Sequence, residues 1–477
     1  MKNQGTKFYR LARKWSGVAL ASLALAALPA FSQQSAPRDP AEPPQKKPQV
    51  KVLPRPLGTI ARQSIDEKSM RTLIHNLVTC GTRLTLSSWT DPKRGIGCGR
   101  DFVLARLNEV AKESGGKLQI VVDKFESKSE RTGPNPVHLE NVYAILPGSD
   151  PKLAKTVFIA VGDVDSRPSD VMDPNADAPG ADDDGSGTAV SVECARLLSS
   201  PSANGHGKFG NFRATLLFGV LSGEEQGLLG AYRLIDWTKE QGYTVGAMLD
   251  NDIVGADSAP GGPHRVRVFS GNGEIEDADS PARELARAIE EIDGRSAIRM
   301  IFRQDRYGRG GDHFPFYKAG LPAVRFTEPL EDYNHQHQTP RTENGVEYGD
   351  LEKYLDYTFM GNVARDNAEV LRQLAMAPAP PTNARLKGAV TPDAKVSWSA
   401  EDDPERAAFE VLWRETTDPR WQVYDFAATP GETALKGVST DNHFFAVRSV
   451  GKNGARSIAV PTEMERRAPP LPSGTKQ

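Results

Sequence analysis

From residue 65 onward the hydrophobic positions follow two periods, and the periods alternate. At 65–79 and 100–114 apolar residues recur every three or four places among polar ones, the pattern of amphipathic helices. Compact apolar runs follow at 118–125, 141–146 and 156–161, each of strand length. A helix is expected at 184–198, a strand at 213–221 and a helix at 228–241. Further strands are expected at 245–253, 264–269, 298–302 and 323–327, with helices at 281–292 and 350–374. Apolar strands alternating with helices imply an α/β fold, a mostly parallel or mixed sheet flanked by helices on both faces. In such sheets ligands gather beyond the carboxyl ends of the strands.

The texture changes after 374. Residues 375–382 are Pro- and Ala-rich and read as a stiff linker. From 383 to 468 short alternating runs at 394–398, 409–413, 421–426 and 443–447 are separated by turn-forming residues, with no helical stretch. That is the signature of an all-β sandwich, of about 90 residues here. Trp398, Trp413 and Trp421 are its expected core, and 469–477 is a polar tail. The larger α/β domain then spans 61–374.

The N-terminus reads as a targeting signal over 1–32. Lys2, Lys7, Arg10, Arg13 and Lys14 precede an apolar run at 18–30, which ends in Ala30-Phe31-Ser32, a small-x-small cleavage pattern. The run is shorter than the roughly 20 residues of a bilayer span, so no stable membrane anchor is expected. Residues 33–60 form a Pro-rich linker. The mature protein is therefore expected in the periplasm or secreted. A net charge of −3 with 25% charged residues gives no basic face for nucleic acid. Of the three cysteines, Cys80 and Cys98 are candidates for a disulfide in an oxidising compartment, and Cys194 reads as a buried small hydrophobe.

Six segments carry the candidate chemistry, most of them at strand ends. They are GDVDSR at 162–167, PGADDDGSG at 179–187, SGEEQG at 222–227, DND at 250–252, GDH at 311–313 and DYNHQH at 332–337. Each alone has an ordinary reading: Asp and Ser cap helices, and a Glu-Glu pair is usually a solvated face. Together, carboxylates gathered at strand ends repel one another unless cations sit among them, and histidines beside them point to divalent metal.

In order and content this set resembles the secreted two-zinc aminopeptidases, metallo-exopeptidases with a co-catalytic metal pair, over roughly 63–374. The segments VLWRET and FFAVRSVGKNG are similar to the fibronectin type III module attached to some of them. The resemblance implies peptide substrates and two divalent ions, zinc in at least one site. It implies that Asp183 bridges the ions, that Glu225 and His337 complete one shell, and that Asp163 and Asp252 complete the other. Glu224 is then the general base.

Two departures matter. Asp163 stands where the family has histidine, leaving an all-carboxylate shell that favours harder ions at that site. The late histidine falls one place off the family spacing, at His337, with His335 in reserve, because the amide of Gln338 is a poor zinc ligand. Asp165, Asp312, His313 and Glu328 are candidates for supporting the ligands or touching substrate, and Tyr307 for donating to an oxyanion. The resemblance leaves open a carboxypeptidase or dipeptidase, a one-zinc glutaminyl cyclase, and a non-catalytic metal-binding protein.

Overall fold

The computed structural model describes residues 60–201, 209, 211–271, 279–293 and 297–465. The expected signal, almost all of the first linker and the tail lie outside the described residues. Two helices open the fold, α1 (Glu67–Thr79) and α2 (Ile96–Glu113). There follow β1 (Gln119–Ser127), β2 (Val137–Leu146), β3 (Thr156–Asp163), α3 (Gly185–Ser199), β4 (Thr215–Leu221), α4 (Leu229–Glu240) and β5 (Thr244–Asn251). Next come β6 (Val266–Phe269), α5 (Pro281–Asp293), β7 (Ile298–Ile301), α6 (His313–Lys318) and β8 (Ala323–Thr327). A small hairpin, β9 (Arg341–Glu343) and β10 (Val346–Tyr348), precedes α7 (Tyr357–Met376).

β1 to β8 form one mixed sheet in the order β1-β2-β4-β3-β5-β8-β6-β7, with the central strands β4, β3, β5 and β8 parallel. Strand alternation sorts the side chains into two cores. Phe158 and Ala160 of β3 face the side covered by α1, α3 and α7, while Val157, Ile159 and Val161 face α4 and α6. Helix α3 is buried along nearly its whole length, which is why its sequence is apolar and small on every side. Gly187 permits its close approach, since a Cβ there would lie 1.8 Å from the Asn251 carbonyl oxygen.

Helix α7 begins at Tyr357 rather than 350 because Asp356 caps it, accepting from Thr358 and Phe359 N–H. Asp350 is thereby left outside the helix. Helix α2 starts earlier than its apolar period suggested, after Gly95, and Cys98 in its first turn is disulfide-bonded to Cys80 at the end of α1. Cys194 is free and buried.

The remainder is two four-stranded sheets. Their strands are β11 (Thr382–Lys387), β12 (Ala394–Ser399), β13 (Arg406–Glu415), β14 (Gln422–Ala427), β15 (Gly431–Leu435), β16 (His443–Gly451), β17 (Val460–Pro461) and β18 (Glu463–Met464). The orders are β15-β12-β11-β18 and β14-β13-β16-β17. Trp398, Phe409, Val411, Trp413, Phe445 and Val447 fill the space between. Trp421, expected there too, instead reaches α5 and donates Nε1–H to Glu284 at 2.6 Å. Its half-buried ring packs against Leu412, Ala446 and Ala459, on the face of β13 and β16 turned away from that space.

Candidate metal centre

Asp163 ends β3, Glu224 and Glu225 follow β4, Asp252 follows β5 and His337 lies in the segment after β8. The four central parallel strands thus deliver the acidic motifs to one edge, as the topology favours. Asp183 sits in the turn before α3. That turn is fixed from behind: the Asp350 carboxylate accepts from Asp182 N–H at 2.9 and 3.0 Å and from Asp183 N–H at 2.7 Å.

Among the described residues, Asp183, Glu225 and His337 are the one group of three or more acidic, histidine or cysteine side chains whose ligand atoms lie within 4.8 Å of one another. His337 Nε2 is 2.9 Å from Asp183 Oδ2 and 3.0 Å from Glu225 Oε1. To point there, His337 adopts φ 54°, a left-handed backbone that a residue with a Cβ takes at a cost of about 1–2 kcal/mol. Burial disfavours charge on both partners, yet pairing holds Asp183 down to about 2 and lifts His337 to about 10, with Glu225 and Asp183 as the acids that raise it. An imidazole held in that way by two carboxylates occupies the place where a cation belongs. Two carboxylates and an imidazole opening on a cleft of about 460 Å³ fit a zinc ion with one position left for substrate or water.

Glu224 lines the same cleft. Burial, then the charges of Glu225 and Asp252, push its carboxyl well above the usual range in the absence of metal. Asp165 is buried and aims both oxygens at the Glu224 turn. It accepts from Gly223 N–H at 2.7 Å, Glu225 N–H at 3.1 Å, Glu224 N–H at 3.3 Å and the Thr85 hydroxyl at 2.9 Å. With no imidazole at 163 to orient, this carboxylate positions the backbone of both glutamates.

Asp163 and Asp252 do not join the three-residue group. The carboxyl of Asp163 faces Asp184, Asp165, Glu224 and Asp312, and burial together with those charges drives it well above the carboxylate range. Asp252 Oδ2 is instead 2.7 Å from Arg325 Nη2, a guanidinium that is fully buried. Burial opposes the charge on Arg325, but Asp252, Asp305 and Asp250 hold its pKa above the ordinary arginine value.

The weaker candidates divide. His335 stacks on Tyr354 at 3.6 Å and pairs with Asp332, away from the group. His313 is not a substrate contact: it is buried, with Nδ1 3.1 Å from Asp250 and Nε2 2.6 Å from the Gln304 carbonyl, so both ring nitrogens are spent on structure. Tyr307, the candidate oxyanion donor, is 87% exposed, between Arg306 and Gly308 at the cleft, while Arg306 and Arg309 bond to Glu331. Glu328 bonds to Asp182 beneath the metal turn rather than holding the His337 loop, and burial beside Asp182 lifts its carboxyl to about 11. Neither oxygen of buried Asp312 has a hydrogen-bond partner among the described residues.

Four supporting residues were not anticipated. Asp350 was placed in a helix, and Arg325 is a lone charge in an apolar strand. Glu331 gathers Arg267, Arg306 and Arg309. Arg83, fully buried, donates to the carbonyls of Val164, Pro179 and Gly180 behind Asp183.

Comparison with known proteins points to a family of zinc metalloproteases. The model of peptidase family M28 matches residues 141–360. A probable zinc metalloprotease of Leptosphaeria maculans is 38% identical over 420 residues, covering 83% of this chain and 95% of its own. Another, from Pyrenophora tritici-repentis, is 37% identical over 439 residues, covering 86% of this chain and 88% of its own. Among solved structures, the LapA aminopeptidase of Legionella pneumophila aligns with a TM-score of 0.49 at 19% identity, covering 67% of this chain and 74% of that one. With over four-fifths of its length aligned at such identity to these metalloproteases, the chain belongs to peptidase family M28.

Proposed function

We propose that the protein is an exported zinc exopeptidase that removes N-terminal residues from peptides. The observation that carries this is the convergence of Asp183, Glu225 and His337 on one point at the floor of a cleft that Glu224 also lines. Those three side chains would hold zinc, which when bound acts as a Lewis acid and lowers the pKa of water toward about 7. Glu224 takes a proton from the attacking water and returns it to the leaving amine nitrogen. Asp165 keeps the Glu224 and Glu225 backbone fixed while this happens, and Gln336 Nε2 donates to Asp183 Oδ2 at 3.3 Å. Asp252 lines the cleft with one oxygen held by Arg325, and its other oxygen is the natural acceptor for a substrate α-ammonium.

One observation favours cleavage from the other end. Arg131, Arg167, Arg306 and Arg309 line the cleft, and guanidinium groups suit a terminal carboxylate. Peptides with free or blocked amines, assayed with a chelator and zinc restored, separate the two. Cleavage confined to free-amine substrates supports the aminopeptidase. Release from the carboxyl end moves the assignment to a carboxypeptidase. Glu224→Gln should retain zinc and lose about 10²–10⁴ in turnover, and unchanged turnover sinks the mechanism. Export is tested by N-terminal sequencing of protein recovered outside the cytoplasm, expected to start just after Ser32.

A further inference from the structure

Arg325 lies in β8 opposite Asp250 of β5, so its side chain runs toward the same sheet edge as the acidic motifs. Its guanidinium is held on two sides. Nη1 donates to the Gly310 carbonyl at 2.9 Å and lies 3.2 Å from Asp305 Oδ2, while Nη2 lies 2.7 Å from Asp252 Oδ2. The path exists because residue 311 is glycine: a Cβ there would fall 3.2 Å from Arg325 Cδ and 2.8 Å from Asp250 Oδ2. Arginine stays protonated at any ordinary pH, so this is a permanent positive charge in a fixed place.

A divalent ion on Asp252 would sit about 2.0–2.2 Å from a carboxylate oxygen. Its charge would then lie within a few ångströms of the guanidinium that already binds that carboxylate, and the two would repel. The site offers such an ion little in return. Asp163 replaces an imidazole and stands among Asp184, Asp165, Glu224 and Asp312, outside the group formed by Asp183, Glu225 and His337.

We propose that this centre takes one zinc ion, and that Arg325 is the fixed cation serving Asp252 where a second metal ion would otherwise stand. The inference rests on reading Asp183, Glu225 and His337 as zinc ligands. Arg325 is a positioning residue: it fixes the orientation of the Asp252 carboxylate through the 2.7 Å contact without touching the substrate.

The test measures metal rather than turnover. Elemental analysis of the purified full-length holoenzyme should give one zinc per chain, with no second tight equivalent on adding zinc. Two tightly held zincs overturn the proposal. Chelated protein refilled with cobalt(II) should saturate at one equivalent with a single uncoupled high-spin EPR signal, whereas a spin-coupled pair overturns it. Asp252→Asn keeps an oxygen for Arg325 and should still hold one zinc, so loss of zinc would make Asp252 a ligand and refute the assignment. Arg325→Met, if it folds, should gain a second cobalt equivalent. Should that variant misfold, the wild-type count and Asp252→Asn still decide. Zinc retained at full strength by Glu225→Gln is a separate failure, because it removes the three-residue site itself.

Discussion

At the scale of single residues, the site is built from groups whose charges are controlled by position. His337 is held near 10 between Glu225 and Asp183 in the metal-free protein, so zinc must displace a proton to reach the imidazole. With this one proton in competition, apparent zinc affinity should rise about tenfold per pH unit below about 10, then level off. Zinc titrations at several pH values check this, and a flat profile would contradict it. The sign for stability is opposite. A folded-state pKa above the unfolded one stabilises the metal-free protein fully below about 6.5, and that contribution is lost as pH rises through 10. Asp165 acts through the backbone it holds, so Asp165→Asn should lower zinc affinity and turnover together by about 10–100-fold. The acids themselves were legible in the sequence because carboxylates rarely gather without a cation. Arg325 and Asp350 were not. Each finds its meaning in a partner far along the chain, Asp252 and Asp183 respectively, and no local spacing encodes such a meeting.

At the scale of elements, what matters is how closely α3 enters the sheet edge. Asp184 accepts from Gly187 N–H at 2.9 Å, capping the helix, and from Asp163 N–H at 2.9 Å, tying the helix start to the end of β3. The sequence suggested only a cap. The second bond is visible once β3 and α3 are adjacent. Asp184→Ala removes the cap and strands a buried N–H, so it should cost about 2–4 kcal/mol of stability by denaturant melting, with zinc binding weakened because Asp183 is its neighbour. A loss below about 0.5 kcal/mol would show the cap to be dispensable. Periodicity located the long elements because each buries one face or both. It missed α6 and the β9–β10 hairpin, which are too short to show a period.

At the scale of the whole molecule, the β-sandwich is fastened to α5 by charge. Arg448 bonds Glu410 of its own sheet and Glu291 of α5, Arg420 pairs with Glu290, and Arg414 with Asp279. Trp421 joins this seam. Arg448→Ala leaves the buried Glu410 with Arg456 alone and should cost about 3 kcal/mol in denaturant unfolding, while zinc content and turnover per folded molecule stay unchanged. Equal losses in both would mean that the seam also shapes the cleft.

The Cys80–Cys98 link supports the site from a distance. It closes the segment carrying Arg83 and Thr85, and those two residues brace Gly180 and Asp165 from the rear. Closing a loop of this size is worth about 3 kcal/mol through the unfolded chain. Reducing both thiols should therefore lower the stability of the folded chain by about that amount, so that fewer molecules at equilibrium hold the wall behind Asp183 and Asp165 in place.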